Sequence, residues 1–181
     1  MLLRHVAAEV GAAFTEADVP HLWMKGLYLA AWCYPQAHLR PMEDLDLLVP
    51  IGARSEALAV LGRLGFRGAA DPATVSHELA LGRQGVIVDL HWHLARPGRI
   101  PSAFEAGMLA RRRHTGPLSV PDPLDAAAVA LAHPALTEHV SGRLLRVLDL
   151  HHLLAAMAGR EAELAARLRR YQLSTAAWAQ V

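Results

Sequence analysis

The hydrophobic pattern of this chain changes from alternating to helical spacing along its length. In the first half, short runs alternate apolar and polar residues, which is the spacing of half-buried β-strands. Longer segments repeat apolar residues every three or four positions, as amphipathic helices do. The pattern predicts helices over Leu2 to Phe14, Leu27 to Cys33 and Ala53 to Leu64, and strands over His21 to Met24, Asp44 to Val49 and Val86 to His93.

A hairpin is predicted in front of the last of these strands. Gly82-Arg83-Gln84-Gly85 has the composition of a tight connection, with Ser76 to Leu81 as the partner strand. From Pro101 onward the apolar spacing becomes helical. Helices are predicted there over Ser102 to Arg113, Leu124 to Ala132, Gly142 to Ala158 and Glu161 to Ala179.

These elements together predict an α+β fold. We expect a small mixed β-sheet of about four or five strands, flanked by helices and followed by a C-terminal helical lobe. The predicted division places residues 1–98 in the α/β lobe and residues 99–181 in the helical lobe, packed as one unit. Arg96 to Arg99 is the predicted hinge, and a cleft between two such lobes is a common place for substrates.

Two acidic residues within one predicted strand are the strongest chemical signal. Side chains two positions apart project from the same face of a strand, so Asp44 and Asp46 point one way while Leu45 and Leu47 pack the other way. Two carboxylates this close repel each other unless a cation compensates them. Mg²⁺ is typically held by one or two carboxylates together with substrate phosphates. The structural alternative is an edge strand whose acids face water.

A strand-to-helix turn upstream has the composition of an anion site. Lys25-Gly26 separates the strand ending at Met24 from the helix that begins at Leu27. Glycine lets the backbone approach a ligand closely, and the helix N-terminus offers free N–H groups to an anion. Lys25 is the only lysine among eighteen basic residues, which favours a specific role over that of a surface residue beside a turn.

The strand predicted over Val86 to His93 adds a third acid. By the same alternation, Asp89, His91 and His93 share one face. A third carboxylate from a neighbouring strand completes a cluster that, with metal, orients a triphosphate and lowers the pKa of an attacking hydroxyl. His91 is a candidate nucleotide contact or proton carrier next to Asp89. The structural alternative for Asp89 is an acid at the end of a strand.

The composition narrows the class of protein. Over 181 residues the formal net charge is +1, which gives no indication of nucleic-acid binding. Charges interrupt every apolar stretch before bilayer length, and the first ten residues lack the apolar core of a signal peptide. The single cysteine excludes an intramolecular disulfide. We therefore expect a cytoplasmic protein without a membrane span.

The order of these features resembles that of a known family. On these segments the chain is similar to the uncharacterised nucleotidyltransferase-like family of the polymerase-beta superfold, roughly from residue 20 to residue 155. The segments that carry the resemblance are Lys25-Gly26, Tyr34-Pro35, Arg40-Pro41, Asp44-Leu45-Asp46-Leu47-Leu48-Val49, Leu64-Gly65-Phe66, His77, Val88-Asp89-Leu90-His91-Trp92, Pro123-Leu124-Asp125, His133 and Arg143 to Leu150.

The resemblance implies a reaction and roles for particular residues. It implies transfer of a nucleoside monophosphate from a nucleoside triphosphate to an acceptor, with two divalent ions, Mg²⁺ or Mn²⁺. Asp44, Asp46 and Asp89 match the catalytic, metal-binding acids. Gly26 would lie against the triphosphate, with Lys25 and Arg40 as phosphate contacts. This chain has Gly26-Leu27 where the wider superfold usually has Gly-Ser or Gly-Gly, so no hydroxyl follows the glycine.

Three functional classes remain open from the sequence. The first is a nucleotidyltransferase that modifies an unidentified small molecule, protein or RNA end. The second is a catalytically inactive relative that binds nucleotide or a partner protein. The third is a metal-dependent phosphohydrolase, because the same ions would activate water in place of an acceptor hydroxyl.

Overall fold

Helices account for most of the regular structure and lie where the apolar spacing predicts them. The computed structural model describes residues 2–68, 76–137 and 144–179. No helix in these ranges is long and apolar enough to cross a bilayer. The described helices are α1 (Leu2–Glu16), α2 (Lys25–Trp32), α3 (Arg54–Arg63), α4 (Ser102–Ala110), α5 (Pro123–Thr137), α6 (Leu144–Ala156), α7 (Glu161–Arg170) and α8 (Ser174–Trp178).

The strands form one mixed sheet and one separate hairpin. In the described residues the sheet has five strands in the order β1-β2-β5-β4-β3, and β6 pairs with β7. Strand β2 runs parallel to β5 and antiparallel to β1, while β4 runs antiparallel to β5 and to β3. The strands are β1 (Leu22–Trp23), β2 (Asp44–Leu48), β3 (Arg67–Gly68), β4 (Glu78–Arg83), β5 (Val86–His91), β6 (Arg113–Thr115) and β7 (Leu118–Val120). The predicted α+β class is confirmed.

Alternation along β2 and β5 divides the core between the two faces of the sheet. Leu45 and Leu47 on β2, with Val88 and Leu90 on β5, are buried in a cluster that includes residues of α1 and α3. Leu48 projects from the opposite face, into a cluster built mainly from helices α4 to α8. The acidic residues of β2 share the face of Leu48, so they lie on the side of the sheet that the C-terminal helices cover.

Two predicted helices end earlier than their apolar spacing indicates. The helix that begins at Ser102 ends at Ala110, and the hairpin of β6 and β7 follows, with Gly116 in its turn at φ +58°. The segment predicted as one helix from Glu161 is two helices, because Gln172 has φ +58° and interrupts the helical backbone. Gly142, the predicted start of α6, lies outside the described residues.

Candidate active site

The three predicted acids line one cavity. Asp46 on β2 stands opposite Asp89 on the parallel strand β5, and Asp44 precedes Asp46 by two positions on the same face. All three side chains line a cavity of about 480 Å³, whose wall also includes Lys25 and Gly26. Helices α5 and α6 supply the opposite wall. The structure therefore brings the predicted carboxylates together at the place where the sheet faces the C-terminal helices.

Among residues 2–68, 76–137 and 144–179, neither Asp44 nor Asp89 forms an ion pair, in contrast to Asp46. Burial raises the pKa of Asp44, and the charge of Asp46 raises it further. Burial also raises the pKa of Asp89, and the charges of Asp44 and Asp46 add to that effect. Half-buried carboxylates that repel each other favour a cation in the space between them.

Asp46, in contrast, is already compensated. Its Oδ1 accepts a hydrogen bond from Lys25 Nζ at 2.6 Å and lies 3.0 Å from His91 Nε2. Burial opposes ionisation, but the hydrogen bond from His91 and the charge of Lys25 outweigh it and hold the pKa of Asp46 well below its usual range. Asp46 is therefore ionised in the folded protein, and its two neighbours hold its position.

The turn before α2 places Lys25 against the cavity. Lys25 has φ +43°, a left-handed conformation that non-glycine residues seldom adopt and that costs about 1 kcal/mol or more. Met24, which caps the helix, makes no side-chain hydrogen bond to it, so the first N–H groups of α2 have no cap from that side chain. Gly26 is required by close approach, since a Cβ built there would lie 2.8 Å from Arg40 Nη1. This turn presents a cation and a helix N-terminus to the same cavity.

Arg40 joins the loop before β2 to helix α6. Its Nε and Nη2 donate to the two carboxylate oxygens of Asp149, each at 2.8 Å, and Tyr34 Oη donates to Asp149 Oδ1 at 2.7 Å. From the sequence we expect Asp149 to be a buried, paired acid that joins the helices to the sheet lobe, with Arg143 or Arg146 as its partner. The pairing is present, but its partners come from the loop, and Arg143 lies outside the described residues. Arg40 also lines the cavity, where its predicted role as a phosphate contact stays a prediction.

The two histidines predicted at the end of β5, His91 and His93, make different contacts. His91 is fully buried and contacts Asp46 Oδ1. It is not one of the described residues that line the cavity. Its predicted contact with nucleotide stays untested. The strand ends at His91, two residues earlier than predicted, and His93 Nδ1 lies 3.0 Å from Glu105 Oε2 on α4. His93 therefore lies beyond the end of the strand, in contact with α4.

Three residues of the site had no predicted role in it, although His77 and His133 belong to the segments that carry the family resemblance. His77 and Glu78, at the start of β4, and His133 on α5 line the cavity with the aspartates. Glu78 stands opposite His91 in the antiparallel ladder, so a carboxylate continues the polar face beyond β5. The pairing of Glu78 with His91 follows from the register of the predicted hairpin, counted back from its turn at Gln84 and Gly85.

The donor set of the three aspartates fits Mg²⁺ or Mn²⁺. Both ions prefer carboxylate oxygens. Within the described residues every side-chain hydrogen bond and ion pair of Asp46 uses Oδ1, which leaves Oδ2 for another cation. The carboxylate oxygens of the three aspartates line one cavity but do not all lie within 4.8 Å of one another; in the described chain that criterion is met by His77, Glu78 and His91. Mg²⁺ takes only one or two carboxylates plus waters and phosphates, so this spread is compatible with it.

His133 should make the folded protein sensitive to mild acid. Burial, together with the positive charge of Lys25, lowers the pKa of His133 to about 3. An unfolded chain protonates histidine below about pH 6.5, so the unfolded state binds more protons and stability falls as the pH falls from 6.5 towards 3. Between about pH 7.5 and pH 5 the free energy of unfolding of the parent should decrease. We expect this decrease to be about 2 kcal/mol smaller in His133→Gln. The charged and titratable groups that act on this imidazole are Lys25, His91, Asp46 and His77.

Urea unfolding at the two pH values measures this difference. The exposed His38 is the matched control, and His38→Gln should behave as the parent does. Equal losses of stability in the parent and in His133→Gln would show that another group causes the sensitivity to acid.

Comparison with known proteins identifies the family and the fold. Residues 1–180 match the profile of a family described as uncharacterised nucleotidyltransferase. No curated protein matches the chain.

Solved structures share the fold at low identity. A solution structure of the antibiotic-resistance factor ANT(2'')-Ia is 17% identical, with a TM-score of 0.62 over 94% of each chain. A crystal structure of ANT(2'')-Ia in complex with adenylyl-2''-tobramycin is 16% identical, with a TM-score of 0.64 over 94% of this chain and 99% of that one. JHP933 from Helicobacter pylori is 16% identical, with a TM-score of 0.52 over 93% of this chain and 72% of that one.

These comparisons agree with the resemblance noted in the sequence. At such low identity the solved structures establish the fold alone, and the family match covers almost the whole of the 181-residue chain. The chain belongs to the family of uncharacterised nucleotidyltransferases.

Proposed function

We propose that this protein transfers a nucleoside monophosphate from a nucleoside triphosphate to an acceptor, in a reaction that depends on Mg²⁺ or Mn²⁺. The observation that carries the proposal is the convergence of Asp44, Asp46 and Asp89 on one cavity beside Lys25 and the N-terminus of α2. A nucleoside triphosphate is a polyanion, and the carboxylates alone would repel it. The site therefore needs both the cations of the protein and those that accompany the nucleotide.

The protein's own groups divide into two sets along the cavity. Lys25, the free N–H groups at the start of α2, and Arg40 are on the positive side and would bind the phosphate chain. Arg40 is already fixed by two hydrogen bonds to Asp149, so it would offer its remaining N–H groups from a preset position. Gly26 leaves the space for the phosphates to approach the backbone.

The acids form the second set. Asp44, Asp46 and Asp89 would hold the divalent ions, which when bound balance charge on the phosphates and lower the pKa of the acceptor hydroxyl. Asp89 is suited to take the proton of that hydroxyl, because its pKa is raised by burial and by the neighbouring charges of Asp44 and Asp46. The acceptor oxygen forms a bond to the α-phosphorus, the bond from that phosphorus to the bridging oxygen breaks, and pyrophosphate leaves with the bonding electrons.

His91 acts through Asp46 in this proposal. It is fully buried and lies 3.0 Å from Asp46 Oδ1, so it orients that carboxylate from behind. Helices α5 and α6 form the far side of the cavity, opposite the acids, and this is where an acceptor would enter. Apolar residues of that wall include Val129 on α5 and Leu145 and Leu150 on α6, and Met108 on α4 also lines the cavity.

The test is incubation of the purified protein with Mg²⁺ or Mn²⁺ and each nucleoside triphosphate labelled at the α-phosphate. One structure of this fold contains adenylyl-2''-tobramycin, a nucleotidyl group joined to a small molecule, so small hydroxyl compounds are the first acceptors to offer. We expect label on an acceptor and release of pyrophosphate. Free nucleoside mono- or diphosphate as the sole product would make the protein a phosphohydrolase. Binding of nucleotide without turnover across the acceptors would make it a binding module.

A further inference from the structure

We infer that His77, Glu78 and His91 form a second metal site, for a divalent transition metal of the Zn²⁺ class. In the described residues these three side chains are the group of histidine, cysteine and acidic ligands whose donor atoms all lie within 4.8 Å of one another. Its ligands are other residues than the three aspartates, although His77 and Glu78 line the same cavity and His91 contacts Asp46. The inference does not depend on nucleotidyl transfer.

The distances between the donor atoms are close to those of a coordinated ion. Glu78 Oε2 lies 3.1 Å from His91 Nδ1 and 3.6 Å from His77 Nε2. Ligands held about 2.1 Å from a metal, at angles between octahedral and tetrahedral values, stand about 3.0–3.4 Å apart.

The contacts of the His91 imidazole indicate that a cation beside its Nδ1 atom would be stabilising. Its Nε2 lies 3.0 Å from Asp46 Oδ1 and 3.5 Å from Lys25 Nζ, and the shorter contact, with a carboxylate, selects the tautomer that carries its proton on Nε2. The Nδ1 atom then has a lone pair. This atom is buried and makes no hydrogen bond within the described residues, although the Glu78 carboxylate is only 3.1 Å away. A lone pair that faces a carboxylate is repulsive unless a cation lies between them.

The arrangement of Asp46, His91 and the inferred ion is a recurrent one in metalloproteins. A metal-bound imidazole usually donates its other N–H group to a carboxylate, which fixes the orientation of the ring. Asp46 would serve His91 in this way through Oδ1. Two imidazoles and one carboxylate favour Zn²⁺ and similar ions over Mg²⁺, which prefers oxygen ligands. Three protein ligands leave further coordination positions open.

The backbone holds the ligands in place. Glu78 and His91 are directly opposite each other in the ladder of β4 and β5, so their side chains share one face of the sheet. The carbonyl of His77 accepts hydrogen bonds from the backbone N–H groups of Trp92 and His93, at 3.0 and 3.3 Å. Trp92 Nε1 also donates to the carbonyl of Ser76 at 3.0 Å. The start of β4 is therefore tied to the end of β5 at the site itself.

The experiment is a titration of the full-length protein, freed of metal by a chelator, with Co²⁺ as a coloured substitute for Zn²⁺. We expect one tightly bound Co²⁺ per chain with visible ligand-field absorption, which Zn²⁺ displaces and excess Mg²⁺ does not. His77→Ala and Glu78→Gln should each weaken this binding by about 100-fold, because each removes one of only three protein ligands. Circular dichroism and thermal unfolding show whether each variant is folded.

Two controls keep this result apart from the proposed function. His114→Ala removes an exposed histidine elsewhere in the chain and should bind Co²⁺ as the parent does. Asp44→Asn removes an acid of the nucleotide cavity and should also retain Co²⁺ binding. The inference is overturned if no stoichiometric Co²⁺ binds, if folded His77→Ala and Glu78→Gln bind it as tightly as the parent, or if Asp44→Asn is the variant that loses it.

Discussion

Asp44→Asn is expected to weaken Mg²⁺-dependent binding of nucleoside triphosphate by about 100-fold or more, and to leave the metal-free protein at least as stable as the parent. The two effects have one origin. Burial and the charge of Asp46 raise the pKa of Asp44, so its ionised form is disfavoured in the folded protein. Removing that charge relieves repulsion in the absence of metal and removes a ligand in its presence. Fluorescent nucleotide binding with and without Mg²⁺, and urea unfolding in chelator, measure the two effects.

The neighbouring Glu43 provides a matched control for Asp44. Glu43 is exposed and precedes β2, so Glu43→Gln removes the same charge one position away without touching the cavity wall. This variant should bind the Mg²⁺–nucleotide complex within about twofold of the parent. If Asp44→Asn and Glu43→Gln lose the same amount of affinity, the effect is one of general charge, and Asp44 is not a metal ligand.

The arrangement of the acids was predictable because short-range rules determine it. Alternation along a strand places Asp44 and Asp46 on one face, and the apolar residues between them fix which face is buried. The same rule applies to Asp89 on β5. The remaining requirement was that β2 and β5 be neighbours, and the family resemblance implied this before the structure showed it.

Glu78 could have been found from the hairpin that sequence reasoning already contained. Gln84 and Gly85 both have positive φ, at +50° and +80°, as a two-residue turn of type I′ requires. A two-residue turn fixes the pairing of every residue behind it, so Glu78 must stand opposite His91. The pairing of Glu78 with His91 was therefore determined locally. The predicted hairpin specified only a connection between two strands and not their register.

Other features have no local signal in the sequence. Arg40 and Asp149 are 109 positions apart, and their pairing depends on how α6 packs over the loop before β2. The break between α7 and α8 falls at Gln172, which is neither glycine nor proline, so the helical period continues through it. The hairpin after α4 did have a signal at Gly116 and Pro117, but the charged run before it fitted the end of a helix equally well.

Asp46→Asn is expected to act on stability in the direction opposite to Asp44→Asn, although the sequence treats the two acids alike. Lys25 and His91 both contact Asp46 Oδ1, and the pKa of this carboxyl is lowered. A carboxyl whose folded pKa lies below its unfolded value stabilises the protein above pH 4, and this stabilisation is lost as the pH falls further. We expect Asp46→Asn to lower the free energy of unfolding at neutral pH by about 2 kcal/mol, less than for a fully buried pair because a quarter of the Lys25 side chain is exposed.

Urea unfolding in chelator at pH 7 and again near pH 3 tests the assignment of Asp46 to this ion pair. The difference between the parent and Asp46→Asn should shrink at the lower pH, because the unfolded parent binds a proton at Asp46 there while the folded parent keeps this carboxylate ionised. Asp44→Asn, measured beside it, should show no loss at pH 7. The opposite effects on the free energy of unfolding matter for function. They distinguish Asp46, whose carboxylate is stabilised by the protein's own groups, from Asp44, whose carboxylate is available to a cation. If both variants were equally destabilised, Lys25 would not distinguish between the two carboxylates, and the division of roles within the cavity would be wrong.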